Sequence, residues 1–319
     1  MMFGVVVTFN FHKYSKSLNA TDRLLISFWG FLACVILAFH SRIPHWPFLI
    51  LAEISVVVLV YVLAYSAQST KWKWLRGIYD WLAFPLILFT YKLLYYIIGP
   101  FHRGRDFDRL LIEADRWLFG IDPTKWLVRI SYPFVTELLQ VAYALFYLYF
   151  IALGIELYMK SEIHPFQYFR FTVVYGFIFS YIWYFFLPAV GPRFTLHKFS
   201  EINQELPGLF LTQALRRFID FFESIPANVP DSVAQAAAQR DVFPSGHTML
   251  TLMIIFLAYR FRLRLRHPQL IAGLLLILAT VYLHYHYFVD VVAGAVAAFL
   301  CLATSKKLYS GLENTSDTP

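Results

Sequence analysis

Residues 270–304 read LIAGLLLILATVYLHYHYFVDVVAGAVAAFLCLAT: two apolar runs separated by the polar knot His284-Tyr285-His286-Tyr287-Phe288-Val289-Asp290. Neither run alternates as a half-buried strand would. Each approaches the roughly 20 apolar residues with which a helix crosses a bilayer. In lipid, only helices and closed barrels satisfy their own backbone groups. The stretch therefore predicts a helical hairpin in a membrane, with titratable groups concentrated at its turn. An aspartate that enters an apolar span is expensive and needs a partner. His286 stands four residues before Asp290, so on a helix the two share a face.

The same reading extends over the chain. Its 319 residues are 59% hydrophobic, 19% aromatic and only 15% charged, too apolar for an ordinary soluble domain. Apolar runs at Leu24–Phe39, Phe48–Tyr65, Trp81–Ile98, Phe134–Tyr158, Phe169–Val190, His247–Tyr259, Leu270–Leu283 and Val289–Thr304 predict about eight spans in an all-α polytopic bundle. The net charge of +7 is spread as basic residues between these runs. That distribution suits anionic lipid headgroups and not nucleic acid. Cys34 and Cys301 lie inside apolar runs, which argues against a disulfide framework. Phe3–Thr8 has no basic residues before it, so no cleavable signal peptide is expected. Lys13, Lys16 and Arg23 precede the first long run as in a signal-anchor.

Short basic connections set the topology. Arg260, Arg262, Arg264 and Arg266 crowd one; Lys71, Lys73 and Arg76 occupy another; Lys306 and Lys307 follow the last run. With eight spans all three share the cytoplasmic side, and the long connections 99–133 and 191–246 face outward. Each long connection holds an amphipathic segment. Phe107, Leu110, Leu111, Ala114 and Leu118 recur at helical spacing opposite Asp108, Arg109 and Arg116, and Leu211, Leu215, Phe218 and Phe222 do so around Arg216, Arg217 and Asp220. Two readings stand for them: flat on the outer leaflet, or packed over the bundle. Residues 224–240 read as a flexible stretch.

Three constellations fall on the outward side. Asp241-Val242-Phe243-Pro244-Ser245-Gly246-His247 opens a span with helix-entry residues, whose free N–H groups and dipole favour an anion. Its plainer alternative is a helix cap followed by an interfacial histidine. At His286 and Asp290 a carboxylate would fix one ring tautomer and leave the other nitrogen as nucleophile or base; the alternative is an interfacial pair closing a hairpin. At Pro188-Ala189-Val190-Gly191-Pro192-Arg193 a broken helix presents a guanidinium suited to phosphate, or serving only as an anchor. Their convergence makes phosphoryl chemistry the function expected. Glu53, Lys92 and Glu137 also lie in apolar runs, either lining the approach to the site or forming structural ion pairs.

Pro244-Ser245-Gly246-His247 and His286-x-x-x-Asp290 resemble the second and third motifs of the type 2 phosphatidic acid phosphatase superfamily. The resemblance implies a six-helix lipid phosphatase-like core over 77–307, leaving 1–76 as a two-span extension and 308–319 as a polar tail. It implies that His286 attacks phosphorus, Asp290 orients it, and His247 protonates the leaving oxygen. Arg193, Ser245 and Gly246 would hold phosphate oxygens, with Asp241, His284, Glu53 and Glu137 as accessory candidates. It implies no metal and no cofactor, and membrane lipids as substrates. Two features depart from the family: its Lys-x6-Arg-Pro motif is reduced to Gly191-Pro192-Arg193, and Ala279-Thr280 replaces a Ser-Arg pair. The pattern is most similar to the inositol phosphorylceramide synthase branch, and it also resembles sphingomyelin synthases. A lipid phosphotransferase is therefore expected, with a lipid phosphate phosphatase as the alternative. Two rival classes are a transport or lipid-binding bundle that relays protons, and a metalloenzyme with His247, His286 and Asp290 as ligands.

Overall fold

A computed structural model describes residues 17–314. Phe3–Thr8, Lys13 and Lys16, on which the signal-anchor expectation rests, lie outside the described residues. The described residues are helical and contain no strand. Each apolar run of the sequence lies mainly on helix, and among the described residues four helices are long and apolar enough to cross a membrane. The chain is an integral membrane protein. It divides into two units, residues 1–90 with 306–319, and residues 91–305.

In the first unit, α1 (Ala20–Ala38) starts at a capping box: Asn19 accepts from Thr21 and Asp22, and Asp22 accepts from Asn19. These bonds satisfy N–H groups that a helix start otherwise leaves orphaned. α2 (Trp46–Ser69) packs along α1. It carries Glu53, which is buried with neither carboxylate oxygen hydrogen-bonded. α3 (Lys73–Trp81) and α4 (Ala83–His102) follow, and α4 continues into the second unit.

The second unit holds the three constellations. α5 (Asp108–Phe119) and α6 (Pro123–Val128) cross the first long connection. α7 (Pro133–Ala144) and α8 (Phe146–Met159) form one apolar run bent by 53° at Leu145. At the bend the Tyr149 hydroxyl donates to the Ala142 carbonyl at 2.8 Å, an insertion that accounts for the break. α9 (Ile163–Tyr184) ends six residues before the apolar run does, because Pro188 has no N–H to bond the Tyr184 carbonyl and its ring clashes with it. α10 (Thr212–Phe222) and α11 (Asp231–Ala237) lie in the second long connection. α11 corrects the expectation of a flexible stretch over 224–240: Pro230 starts it, and Ala and Gln propagate it well. α12 (Gly246–Arg260), α13 (Arg266–Tyr282) and α14 (Phe288–Asn314) complete the fold. α13 packs on α12 and α7, and α12 packs on α9.

Both amphipathic segments are helices, docked by polar residues that the apolar pattern had placed outward. Asp108 and Asp115 of α5 are buried, while Leu110, Trp117 and Leu118 are exposed. Arg216 of α10 is buried against Gln140, Asn203 and the Ile202 and Leu206 carbonyls, while Phe218 and Phe221 are exposed. These helices pack over the bundle by their charges and turn apolar side chains outward, where they suit a membrane interface.

Candidate active site

His286 lies in the short turn between α13 and α14. Its own N–H and that of Tyr285 donate to the Thr280 carbonyl at 2.9 and 3.0 Å, which closes the turn. Asp290 opens the first turn of α14 and is fully buried. One carboxylate oxygen accepts the Tyr287 N–H at 2.9 Å and lies 3.5 Å from His286 Nδ1. That separation exceeds a formed hydrogen bond. His286 Nδ1 and the other carboxylate oxygen, Asp290 Oδ1, make no formed hydrogen bond, and the Val242 main chain also acts on the His286 ring; the pair is placed to tighten when the ring gains charge. On the far side of the ring, His286 Nε2 stands 3.4 Å from His247 Nδ1. Asp290, His286 and His247 thus form a line through one imidazole. With the Nδ1 proton held toward Asp290, Nε2 is an acceptor, and His247 is the donor that faces it. Burial pushes His286 down to about 4, so its ring is neutral near neutral pH.

His247 is the second residue of α12. Ser245 caps that helix, its hydroxyl accepting from Thr248 N–H at 3.2 Å, and the Ser245 N–H donates to the Asp290 carbonyl at 3.1 Å. The latter bond ties the two motifs together backbone to backbone. The Gly246 and His247 N–H groups open the helix and have no partner within it, as the anion-favouring start of a helix requires. The His247 ring is clamped between Tyr143 (4.5 Å between centroids) and Phe146 (4.4 Å), the residues on either side of the α7–α8 bend. Tyr143 stacks in turn on Tyr285 at 4.1 Å. The bend therefore positions the proton carrier.

Arg193 reaches the same turn: its N–H donates to the His284 carbonyl at 3.0 Å, and its guanidinium lies 4.8 Å over the Tyr285 ring. It is already engaged by two carboxylates, pairing with Asp220 at 3.0 Å and with Glu223. Burial opposes its charge, but the fields of Glu223 and Asp220 outweigh that and hold its pKa above the ordinary arginine value. Burial raises Glu223 to about 7 in spite of Arg193. A cavity of about 580 Å³ opens beside these groups, lined among others by Arg193, Arg216, Arg217, Phe221 and Tyr285.

The other expected residues are placed as follows. Asp241 accepts from the Tyr91 hydroxyl at 2.8 Å, and its charge acts on His286. Thr280, at the position of the missing arginine, spends its hydroxyl on the Ile277 carbonyl. His284 is buried and turned away toward His197 and Glu205. Glu137 is occupied elsewhere, accepting the N–H groups of Leu209, Phe210, Leu211 and Thr212 as the cap of α10. Lys92 donates to the Phe222 carbonyl and to Ser224. Glu53 belongs to the other unit.

The sequence reading missed the acids that hold the site from below. Asp108 accepts from the Val190 and Gly191 N–H groups and from the Tyr287 hydroxyl. Asp115 accepts the Phe288 and Val289 N–H groups at 2.9 and 2.8 Å, capping α14 directly ahead of Asp290. Seven residues, two helical turns, separate the two aspartates, and that spacing was the available signal.

A family model described as the PAP2 superfamily matches residues 109–304. A PA-phosphatase related-family protein of Dictyostelium discoideum is 31% identical over 131 residues, 41% of this chain and 20% of that protein. The chain thus spans about a fifth of the length of this curated relative. No solved structure matches.

Proposed function

Because this chain belongs to the PAP2 superfamily, we propose that it transfers a phosphorylated group between membrane lipids through a histidine nucleophile. The family suggests phosphatase or phosphotransferase action on lipid phosphates. The observation that carries the reading is the line Asp290–His286–His247, with separations of 3.5 and 3.4 Å on opposite ring nitrogens. Such a line suits a relay through one imidazole. It does not suit three ligands around one ion, which need donors converging on a point.

In the proposed reaction His286 Nε2 attacks phosphorus while the bond from phosphorus to the lipid oxygen breaks. His247, charged as the imidazolium beside the bound phosphate anion, gives a proton to that oxygen and becomes neutral, and Asp290 stabilises the charge that develops at Nδ1. His247 must swing aside from between Tyr143 and Phe146 for phosphorus to approach Nε2. An acceptor hydroxyl then attacks phosphorus, returns its proton to His247 and frees His286. The orphan N–H groups of Gly246 and His247 hold the phosphoryl oxygens.

Arg193 supports transfer over simple hydrolysis. A phosphomonoester carries close to two charges and a phosphodiester one, while this arginine is already neutralised by Asp220 and Glu223. A singly charged phosphodiester therefore fits better, with its headgroup or the acceptor in the adjoining cavity. The inositol phosphorylceramide synthase-like branch belongs to this proposal. So do eight spans, and a site on the non-cytoplasmic face that follows from the basic connections. The second reading, a lipid phosphate phosphatase, has the same first step with water as acceptor.

Incubating the purified protein with labelled phospholipids, with and without alcohol acceptors, separates the two. A new phospholipid that appears only with acceptor is the expected product. Free phosphate at the same rate in both arms would establish the phosphatase instead.

A further inference from the structure

Directly behind the catalytic turn lies a cluster that the proposed chemistry does not use. His284, two residues before His286, has no exposed surface, and neither of its ring nitrogens makes a hydrogen bond within normal limits. The Thr124 main chain stands near it. Its ring lies 3.7 Å from that of His197, nearly parallel at 12°, and its Nδ1 faces Glu205 Oε2 at 3.8 Å. His197 Nδ1 is 2.6 Å from the same oxygen, and His197 Nε2 is 3.0 Å from the Thr124 hydroxyl.

We propose that His197, Glu205 and His284 bind a divalent transition-metal ion, zinc by preference, which fastens the catalytic turn to the outer connection. Two imidazoles and a carboxylate are a donor set that suits zinc and its first-row neighbours. One ligand atom from each residue lies within 4.8 Å of the other two. Tetrahedral zinc with bonds near 2.0–2.1 Å holds its donors roughly 3.3 Å apart. The His197–Glu205 separation opens slightly to meet that figure, and the Glu205–His284 separation closes slightly. The two rings must also part, since one zinc between two imidazole nitrogens sets their centroids roughly 5 Å apart, against 3.7 Å here.

Two further features fit. The Thr124 hydroxyl lies 3.0 Å from His197 Nε2 and can accept its N–H, as the outer partner of a ligating histidine does, which leaves Nδ1 as the metal donor. Burial also differs across the site: the His197 and His284 side chains are 3% and 0% exposed and that of Glu205 is 26% exposed. The histidines are closed off and the carboxylate is the exposed side of the site, the side from which an ion and a water as fourth ligand would come. The role is positional. The ion joins residues 197–205 to the turn that begins at His284 and presents His286.

The test uses full-length, tag-free protein in detergent, stripped with chelator, dialysed and titrated with zinc. Wild type is expected to take up about one zinc per chain, with a lower melting temperature when stripped that zinc restores. His197→Ala, Glu205→Ala and His284→Ala are each expected to lose at least 90% of that uptake, and His267→Ala, at an exposed histidine, to keep it. Should a variant fail to fold, wild type loaded with cobalt(II) still decides, by visible absorption bands of a tetrahedral nitrogen–oxygen site. The proposal is overturned if wild type retains no zinc, if it shows no such cobalt bands, or if His284→Ala takes up as much zinc as wild type. It is equally overturned if His286→Ala, and not His284→Ala, abolishes uptake, since the ion would then belong to the catalytic pair.

Discussion

Glu223 and Arg193 show how a single ionisation can govern the site. Burial raises Glu223 to about 7, so its carboxylate loses its charge as pH falls through that value. Its neighbours are Arg193, Asp220, Asp241 and Lys92. Below pH 7 one of the two acids that neutralise Arg193 is gone, and the guanidinium has more charge to offer a phosphate. KM for an anionic lipid is therefore expected to rise as pH rises through about 7, and Glu223→Gln is expected to flatten that dependence. Initial rates at saturating and limiting substrate from pH 6 to 8 measure it. Arg193→Ala leaves Asp220 and Glu223 without their cation. Their side chains keep 21% and 18% of their exposure, so the expected loss is about 2–3 kcal/mol, below that for a fully buried broken pair. Thermal denaturation in detergent reads it, and an unchanged midpoint would show the pair to be unimportant. At this scale the sequence was informative where chemistry and spacing coincide, as at His286 and Asp290. It was silent about Tyr143, whose stacking on His247 depends on a helix bend some hundred residues away in the chain.

Two elements hold the site in place without entering its chemistry. Asp115 of α5 caps α14, so Asp115→Ala removes acceptors from two N–H groups at the helix that carries Asp290. The expected cost is about 1–2 kcal/mol of stability, together with a fall in kcat as Asp290 shifts against His286. A melt and a kcat measured on the same preparation check both parts. Gly191 precedes the turn that carries Arg193 with φ of +96°, and a Cβ there would lie 2.9 Å from the Tyr285 carbonyl oxygen. Gly191→Ala is expected to cost about 1–3 kcal/mol in backbone strain and to displace the turn bearing His286, lowering kcat more than it raises KM. Helical periodicity found α5 and α10 and left their apolar stripes between the leaflet and the bundle. It did not show that buried aspartates and an arginine satisfy loop backbone on the inner side, which leaves much of each stripe exposed in a way that suits lipid. The helix over 231–237 escaped notice because prolines and small polar residues also describe a loop.

Across the whole chain, length and hydropathy made the helical membrane class legible, and parity of the connections brought three distant motifs to one face. The span count is harder to read, because α12 and α13 are short and α7 and α8 are broken: among the described residues four helices are long and apolar enough to cross, or five if the bent pair is one span. Single cysteines at Asn228 and at Arg262, in a background with Cys34 and Cys301 replaced, test the proposed sidedness. A membrane-impermeant maleimide added to sealed cells is expected to label position 228 and not 262, and the reverse pattern would invert the topology.

The central claim is that His286 becomes covalently bonded to phosphorus. Acid-quenching loses such a nitrogen–phosphorus bond and alkaline denaturation preserves it, so the direct measurement is a rapid alkaline quench of protein turning over a donor phospholipid labelled at phosphorus. Label is expected on the wild-type chain, mapped to the peptide containing His286, and absent from His286→Ala. Product formation by wild type with no label on the chain at any time, or a His286→Ala variant that still turns over, would contradict the account.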